Sequence, residues 1–346
     1  MTAVPDSENS IANLIDAAHE ARKEGPRPHL GGSLIGHPCD RWLWLSFRLA
    51  VIEEFPGRIL RLFRRGQNEE AQIVSDLRAI GMHITDTGAN QARVNFGKHF
   101  SGSIDGIGTY VPGGGTKKHI LEFKTHSDKS FKALTKDGVQ KSKPQHWAQV
   151  QVYMLGKDID RALYVAINKN DDHIYTERVK LDKKEAQKYV DRAHRITMAE
   201  RMPEPLSHDP SWYQCKWCPG HPLCFTERLT KQINCRTCAH ATPCEDSTWH
   251  CARHDAGGIP FDYQLTGCES HVLHPDLVPW KMLDSVSRWE AVYEIDGVPI
   301  RNGEGDANVF ASAELVSNLN ACLSVVRGEA PEIEGLHTVL GARVMG

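Results

Sequence analysis

Within the stretch Gly102 to Lys124, two carboxylates and a lysine follow one another in an order that could bind a hard cation. Ile120 to Thr125 alternates like a β-strand, so Leu121 and Phe123 share one face while Glu122 and Lys124 share the other. Upstream stands Gly102-Ser103-Ile104-Asp105, and a Gly-rich connection follows. A hairpin turning through Pro112 to Gly115 sets Asp105 beside Glu122. Converging carboxylate oxygens with an ammonium at the rim of a sheet suit a divalent ion such as Mg²⁺ or Mn²⁺. The matching chemistry is phosphodiester hydrolysis, in which metal activates a water and clamps a phosphate while the ammonium offsets negative charge.

These residues need elements to carry them. Ser10 to Lys23 fits a short amphipathic packing helix. Gly57 to Ile80 is predicted as one long helix bent at Gly66, with Leu60, Phe63, Val74 and Leu77 forming a stripe that contains Glu70 and leaves out Glu69. A carboxylate in a buried stripe needs a partner. Arg58, Arg61 and Arg65 fall on the opposite face and Arg64 nearer the edge, a pattern that suits a solvated face or phosphate contacts equally. Strands are predicted over Met82 to Asp86, Ala92 to Phe96, Ala162 to Asn168 and His173 to Lys180, and a helix from Asp182 to about Glu200. A helix from Pro144 to Leu155 starts with proline in its first turn and carries His146, Gln149 and Tyr153. Lys129, Lys132 and Lys136 recur at helical spacing, followed by Lys141 and Lys143. They read as surface solubility or as a basic ramp for a substrate backbone.

The order Gly-x-x-Asp, then Glu122-Phe123-Lys124, then Gln149-x-x-x-Tyr153 resembles the PD-(D/E)XK nuclease superfamily, and the Gln-x-x-x-Tyr element marks its RecB-like branch. Asp182-Lys183-Lys184 matches the acid-x-Lys triplet without that company. The i, i+4 spacing places Gln149 and Tyr153 on one helix face. The resemblance implies an α/β fold with a restriction-endonuclease-like core, a mixed central sheet flanked by helices. It also implies a third metal ligand four residues after a glycine on the long helix, which Gly66 to Glu70 provides with an acid in place of histidine. Glu70, Asp105 and Glu122, with the backbone carbonyl of Phe123, are then the expected Mg²⁺ or Mn²⁺ ligands. Lys124 would orient or activate water, and Gln149 and Tyr153 would position the scissile phosphate.

The chain has ten cysteines. Cys215, Cys218 and Cys224 give Cys-x2-Cys-x5-Cys, one ligand short of a closed four-thiolate site, and Cys39 is available as the fourth. This resembles the iron-sulfur subgroup of RecB-like nucleases, including those of CRISPR adaptation, and implies a [4Fe-4S] cluster that staples the N-terminal segment to the end of the core. Zinc on the same ligands is the alternative. Cys235, Cys238, Cys251 and Cys268 suggest a zinc-ribbon-like module holding Zn²⁺, with Cys244, His240, His250 and His254 as rival ligands. Cys322 reads as core.

Composition bounds the rest. Charged residues make up 25% of 346 residues and hydrophobic ones 40%, as in ordinary globular chains. The net charge of −3 gives no global pull toward nucleic acid, so DNA contacts must be local. No apolar run spans a bilayer, and Met1 to Ser10 lacks an apolar signal core, so the expected setting is no membrane and a reducing, cytoplasmic compartment, bacterial or phage-infected. The expected domains are a nuclease domain with its iron-sulfur staple over 1–230, a zinc-ribbon-like module over 231–274 and a short C-terminal α+β tail over 275–346. In that tail Trp289 to Ile295 and Val298 to Arg301 pair through an Asp-Gly turn, and a helix runs from Ser312 to Leu323.

The function expected from the resemblance is a DNA exonuclease acting at single-stranded or duplex ends, in recombination, repair or phage DNA processing. The alternatives are a non-catalytic DNA-binding or adaptor protein, a nuclease subunit with a recombination or CRISPR-adaptation partner, and a restriction-type endonuclease. No Gly-x4-Gly-Lys-Ser/Thr helicase motif is present.

Overall fold

The computed structural model describes residues 10–22, 24–305 and 309–329. Lys23 and most of the polar start up to Ser10 lie outside them, as does the end of the tail. The chain forms two compact units, residues 1–37 with 53–194 and residues 38–52 with 195–346. Among the described residues no helix is long and apolar enough to cross a membrane.

In chain order the first half carries α1 (Ile11–Glu20), β1 (Leu30–Gly31), α2 (Asp40–Phe47), α3 (Gly57–Ala79), β2 (His83–Thr85), β3 (Arg93–Asn95), β4 (Phe100–Ser103), β5 (Gly106–Thr109), β6 (His119–His126), α4 (Asp128–Ser142), α5 (Pro144–Lys157), β7 (Arg161–Asn168), β8 (Ile174–Lys180) and α6 (Lys183–Thr197). Five strands make one mixed sheet in the order β2-β5-β6-β7-β8, in which β6 and β7 run parallel and the other neighbours antiparallel. A second sheet has the order β1-β4-β3. The fold is thus mixed α/β, as the alternation of helices and strands predicts.

The two central strands β6 and β7 are buried along nearly their whole length, whereas β8 at the edge exposes alternate residues. Strands covered on both faces carry near-continuous apolar runs. One face of the sheet, with Leu121, Phe123, Leu163, Val165 and Ile167, packs against Ile73 and Val74 of α3. The other face carries Glu122, Lys124 and His126 on β6 and Tyr164 directly beside Glu122 on β7. α4 and α5 both pack on β6 and β7. The link from β5 to β6 turns through Gly113 and Gly115, both at positive φ that glycine adopts without strain.

One expectation for α3 needs correction. Phe63 is not in a buried stripe: it is 48% exposed and stands edge-on against Phe55. Of the arginines, Arg61 pairs with Asp16 of α1, whereas Arg58, Arg64 and Arg65 are exposed as on a solvated face, Arg64 meeting His19 Nε2 at 3.3 Å and Arg65 donating to the carbonyl of Lys169. The helix α1 laid along α3 therefore takes up the charge of Arg61, which a single-helix reading leaves free.

The second unit begins with α2, where Trp42, Leu43, Trp44, Leu45 and Phe47 are all buried. Its later half is poor in regular structure: α7 (Tyr213–Lys216), a short antiparallel pair β9 (Ala241–Pro243) and β10 (Trp249–Cys251), and α8 (Phe261–Gln264). Buried Arg236 joins α2 to this region by donating to the Phe47 carbonyl at 2.8 Å and to Gln264 Oε1 at 2.9 Å. A four-stranded sheet follows, β11 (Lys281–Met282), β12 (Glu290–Ile295), β13 (Val298–Gly303) and β14 (Val309–Phe310), with the Asp296-Gly297 turn joining β12 to β13 as expected. The single helix expected over Ser312 to Leu323 is two, α9 (Ser312–Ser317) and α10 (Leu319–Val326), because Asn318 leaves the helical region at φ −141°. Cys322 is core, 1% exposed.

Candidate active site

The antiparallel register pairs Gly106 with Leu121 and Ile107 with Ile120, and Asp105 stands just before β5. Asp105 Oδ2 accepts the amide hydrogen of Phe123 at 2.8 Å, which fixes the carboxylate against the strand. Glu122 is fully buried. Lys124 pairs with its Oε1, and its Oε2 has no hydrogen-bond partner. An unpaired buried carboxylate oxygen is costly, and a cation is a natural partner for it.

The electrostatics tie four side chains into one cluster. Burial pushes Glu122 up to about 8, with Lys124 opposing and Asp105 and Glu70 adding repulsion. Glu70, from α3, is raised to about 7 by burial and by Asp105. Asp105 is raised by burial against the pull of Lys124 and the Phe123 amide. For Lys124 burial opposes the charge, yet Glu122 and Asp105 outweigh it and hold the ammonium protonated. Sequence reasoning named all four, and the fold brings their charges within mutual reach. Among the described residues, however, no group of three His, Cys, Asp or Glu is drawn together closely enough to hold an ion as it stands.

α5 supplies the other two expected residues. Gln149 and Tyr153 are buried, and Gln149 hydrogen-bonds the Tyr153 hydroxyl. Burial and the neighbouring Glu122 and Asp105 raise the Tyr153 pKa, so its hydroxyl stays a hydrogen-bond donor. Its ring lies against Gly32 and Gly102, where any Cβ would collide with it. The glycine upstream of Asp105 is therefore required for close approach by this tyrosine. Gln151 sits on the other side of the helix and closes backbone groups of Lys180 and Asp182.

The sequence reading missed a chain of polar groups beside this cluster. Ser130 Oγ lies 3.1 Å from His126 Nδ1, His126 Nε2 lies 3.1 Å from Tyr164 Oη, and Tyr164 Oη lies 2.8 Å from His146 Nδ1. The signal was available: the same alternation that pairs Glu122 with Lys124 reaches His126 two residues on. On α4 the expected basic ramp is partly neutralised, because Lys132 pairs with Asp128 and Lys141 with Asp137.

The cysteines of the second unit gather in two groups. Cys39 caps α2, accepting the Trp42 amide hydrogen at 3.4 Å, and it is among the groups that raise Cys215, Cys218 and Cys224 after burial. Burial raises Cys218 to about 11, and Arg41 hydrogen-bonds Cys224. Cys235, Cys238, Cys251 and Cys268 line a small cavity of ≈ 20 Å³ together with His240. Burial raises Cys235 to about 11 and Cys238 to about 12, with Cys268 and Cys251 adding to both. Of the rival ligands, His240 Nε2 is buried without a partner, and His254 Nε2 is 3.8 Å from Cys268 Sγ. His250 faces Asp255, and Cys244 contacts the Thr242 carbonyl of its own strand.

No family model matches the chain and no curated protein matches it. Solved structures with detectable likeness include the one titled SSO0001, at 16% identity over 64% of this chain and 98% of that chain, with a TM-score of 0.38. LHK-Exo in complex with dAMP aligns at 15% identity over 53% of this chain and 89% of its own, TM-score 0.35; a further structure titles LHK-Exo an alkaline exonuclease from Laribacter hongkongensis. A phage-related exonuclease from Haemophilus somnus 129PT aligns at 18% over 39% and 70%, TM-score 0.27. These scores are low, and the functional reading below stands on the site's own geometry.

Proposed function

We propose that the chain is a metal-dependent deoxyribonuclease that hydrolyses phosphodiester bonds at DNA ends, in recombination, repair or phage DNA processing. The observation that carries this reading is the contact of Asp105 with the Phe123 amide beside the Lys124–Glu122 pair, with Glu70 coupled to them electrostatically and Glu122 Oε2 buried and unpartnered. Hard carboxylate oxygens of this kind fit Mg²⁺ or Mn²⁺. Glu70, Asp105, Glu122 and the Phe123 carbonyl would hold one or two such ions. Bound there, the metal polarises the phosphate and makes a water nucleophilic near neutral pH.

The chain's own groups supply the remaining steps. Lys124, kept protonated by its acidic neighbours, orients the attacking water and offsets charge building on the phosphate. Tyr153, with Gln149 fixing its hydroxyl, donates to the scissile phosphate or the adjoining backbone. Asp105, anchored on the Phe123 amide, holds its carboxylate in place before substrate arrives.

In the second unit the donors are soft sulfurs. We read Cys39, Cys215, Cys218 and Cys224 as the ligands of a [4Fe-4S] cluster, with zinc as the alternative, and Cys235, Cys238, Cys251 and Cys268 as a Zn²⁺ site. The proposed organisation is a nuclease domain with its staple over 1–230, a metal module over 231–274 and a tail from 275. Iron in anaerobically purified protein, lost in Cys39→Ser, is the expected result for the first site; zinc alone at both sites removes the cluster.

The test of activity compares end-labelled linear DNA with closed circles in Mg²⁺ or Mn²⁺. Linear DNA is expected to shorten from its ends while circles survive. Nicked circles indicate an endonuclease, and DNA binding that persists in chelator together with no cutting in either Mg²⁺ or Mn²⁺ indicates a binding protein.

A further inference from the structure

The hydrogen-bonded chain Ser130–His126–Tyr164–His146 is unused by the reading above, and it lies on the same sheet face. His126 follows Glu122 and Lys124 along β6, about 13 Å beyond Glu122 at a strand rise of roughly 3.3 Å per residue. Tyr164 stands next to Glu122 on β7, and its hydroxyl bridges the two imidazoles. Both nitrogens of His126 are engaged, and it is 7% exposed. His146 is only partly buried, in the first turn of α5, and uses Nδ1 alone.

The chain of hydrogen bonds can point either way. In one direction Ser130 donates to His126 Nδ1, His126 Nε2–H to Tyr164, and Tyr164 O–H to His146 Nδ1, so His146 carries its proton on Nε2, the nitrogen the chain does not use. In the other, each bond reverses and His146 presents a lone pair. Every member is satisfied in both, so the ligand selects the direction, and an anion selects the donor form. The surroundings favour an anion. Lys143, Lys124 and Lys169 act on His126, and Lys124 and Lys143 act on His146, which together with burial keep both rings neutral. The acids beside the chain are Glu122 and Glu177, which flank Tyr164 on the neighbouring strands, Glu122 pairing with Lys124, and Asp128, which accepts from Asn168 Nδ2 at 3.4 Å and pairs with Lys132.

We propose that His146 binds a backbone phosphate of the DNA strand flanking the scissile one, donating Nε2–H to a non-bridging oxygen, with Tyr164 and His126 as positioning residues and Lys143 supplying charge. This rests on the nuclease reading for the identity of the substrate. No proton is transferred, and the contact is made alike in ground and transition states, so it lowers KM and leaves kcat unchanged.

The test measures fluorescence anisotropy of a fluorescein-labelled blunt DNA duplex in chelator across a salt series, and steady-state cleavage with Mg²⁺. His146→Ala is expected to weaken binding and raise KM by about tenfold with kcat within about twofold. Because the lost donor is neutral, the salt dependence of binding stays at the wild-type slope, whereas Lys143→Ala lowers that slope by about one. Tyr164→Phe keeps the shape but releases the ring, and is expected to raise KM by about threefold; His146→Asn restores a donor and recovers part of the loss. Unchanged binding and KM in His146→Ala and Tyr164→Phe overturn the proposal, as does a fall in kcat alone. Wild-type protein that binds DNA without ever cutting defeats the nuclease reading instead, and the binding comparison still reports on His146.

Discussion

The acid cluster of the first unit and the thiol groups of the second differ in what holds them. Asp105, Glu122 and Lys124 ride on a sheet whose other face is packed by Ile73, Val74, Leu121, Phe123, Leu163 and Val165. Burial works against the acids, raising Glu122 on the sheet and Glu70 on α3, and the Lys124–Glu122 pair offsets part of that cost. Around Cys235 to Cys268 the regular structure is a 3-10 turn, two three-residue strands and a four-residue helix, and four thiols from these short pieces line one cavity. Metal in the first region should therefore govern activity, and metal in the second should govern folding.

The largest effect expected from this contrast is catalytic. Asp105→Asn keeps an acceptor for the Phe123 amide but removes the charge, and Lys124→Ala removes the ammonium. Each should lower the cleavage rate by about a thousandfold or more. Asp105→Asn should keep the melting temperature of the parent, whereas Lys124→Ala leaves buried Glu122 without its partner and should lower it by a few degrees. A large loss of stability in either would erase the distinction between the regions.

Next comes the thiol region. Cys238→Ser should remove the metal of its site and lower the melting temperature by about 10 °C, the scale of losing about 4 kcal/mol. Cys244→Ser, whose thiol contacts the Thr242 carbonyl and lies outside the cavity that the other four thiols line, should change neither metal content nor melting temperature. Equal effects of the two would return Cys244 to the ligand set.

A smaller effect concerns pH. Glu70 and Glu122 have folded pKa values of about 7 and about 8, above the ordinary carboxylate value. Their contribution to stability is complete below about pH 4.5 and is lost as pH rises through 7 to 8. In chelator the first unit should thus become less stable over that range, and Glu122→Gln should flatten the curve. Mg²⁺ should oppose the loss by stabilising the ionised acids. Thermal melts across pH, with and without the ion, check both signs. The smallest effect is that of Arg61→Ala, which breaks a half-exposed pair with Asp16 and should cost under about 1 kcal/mol in chemical unfolding.

Much of the first region could be read from the chain because its rules are local. The alternation in β6, the turn of glycines before it and the i, i+4 pair on α5 each specify a geometry, and Asp105 Oδ2 accepts the Phe123 amide hydrogen next to Glu122. What could not be read depends on partners distant in sequence. Nothing in the pattern of α3 says that α1 will lie along it and take up Arg61. Tyr164 looks like one more core residue of β7 until α5 brings His146 onto it. In the second region the spacing of cysteines identifies candidates but not their grouping, because the loops between them carry little periodicity. Cavity lining brings His240 forward among the rivals and leaves Cys244 and His250 outside.

The central claim is that acids from α3, from the residue just before β5 and from β6 make one ion site in the first unit. Calorimetric titration of Mn²⁺ into the protein, with its thiol sites already loaded, tests it most directly. Wild type is expected to bind one or two ions per chain, and Asp105→Asn and Glu122→Gln each to lose that binding while remaining folded. Unchanged Mn²⁺ stoichiometry and affinity in both variants would contradict the account.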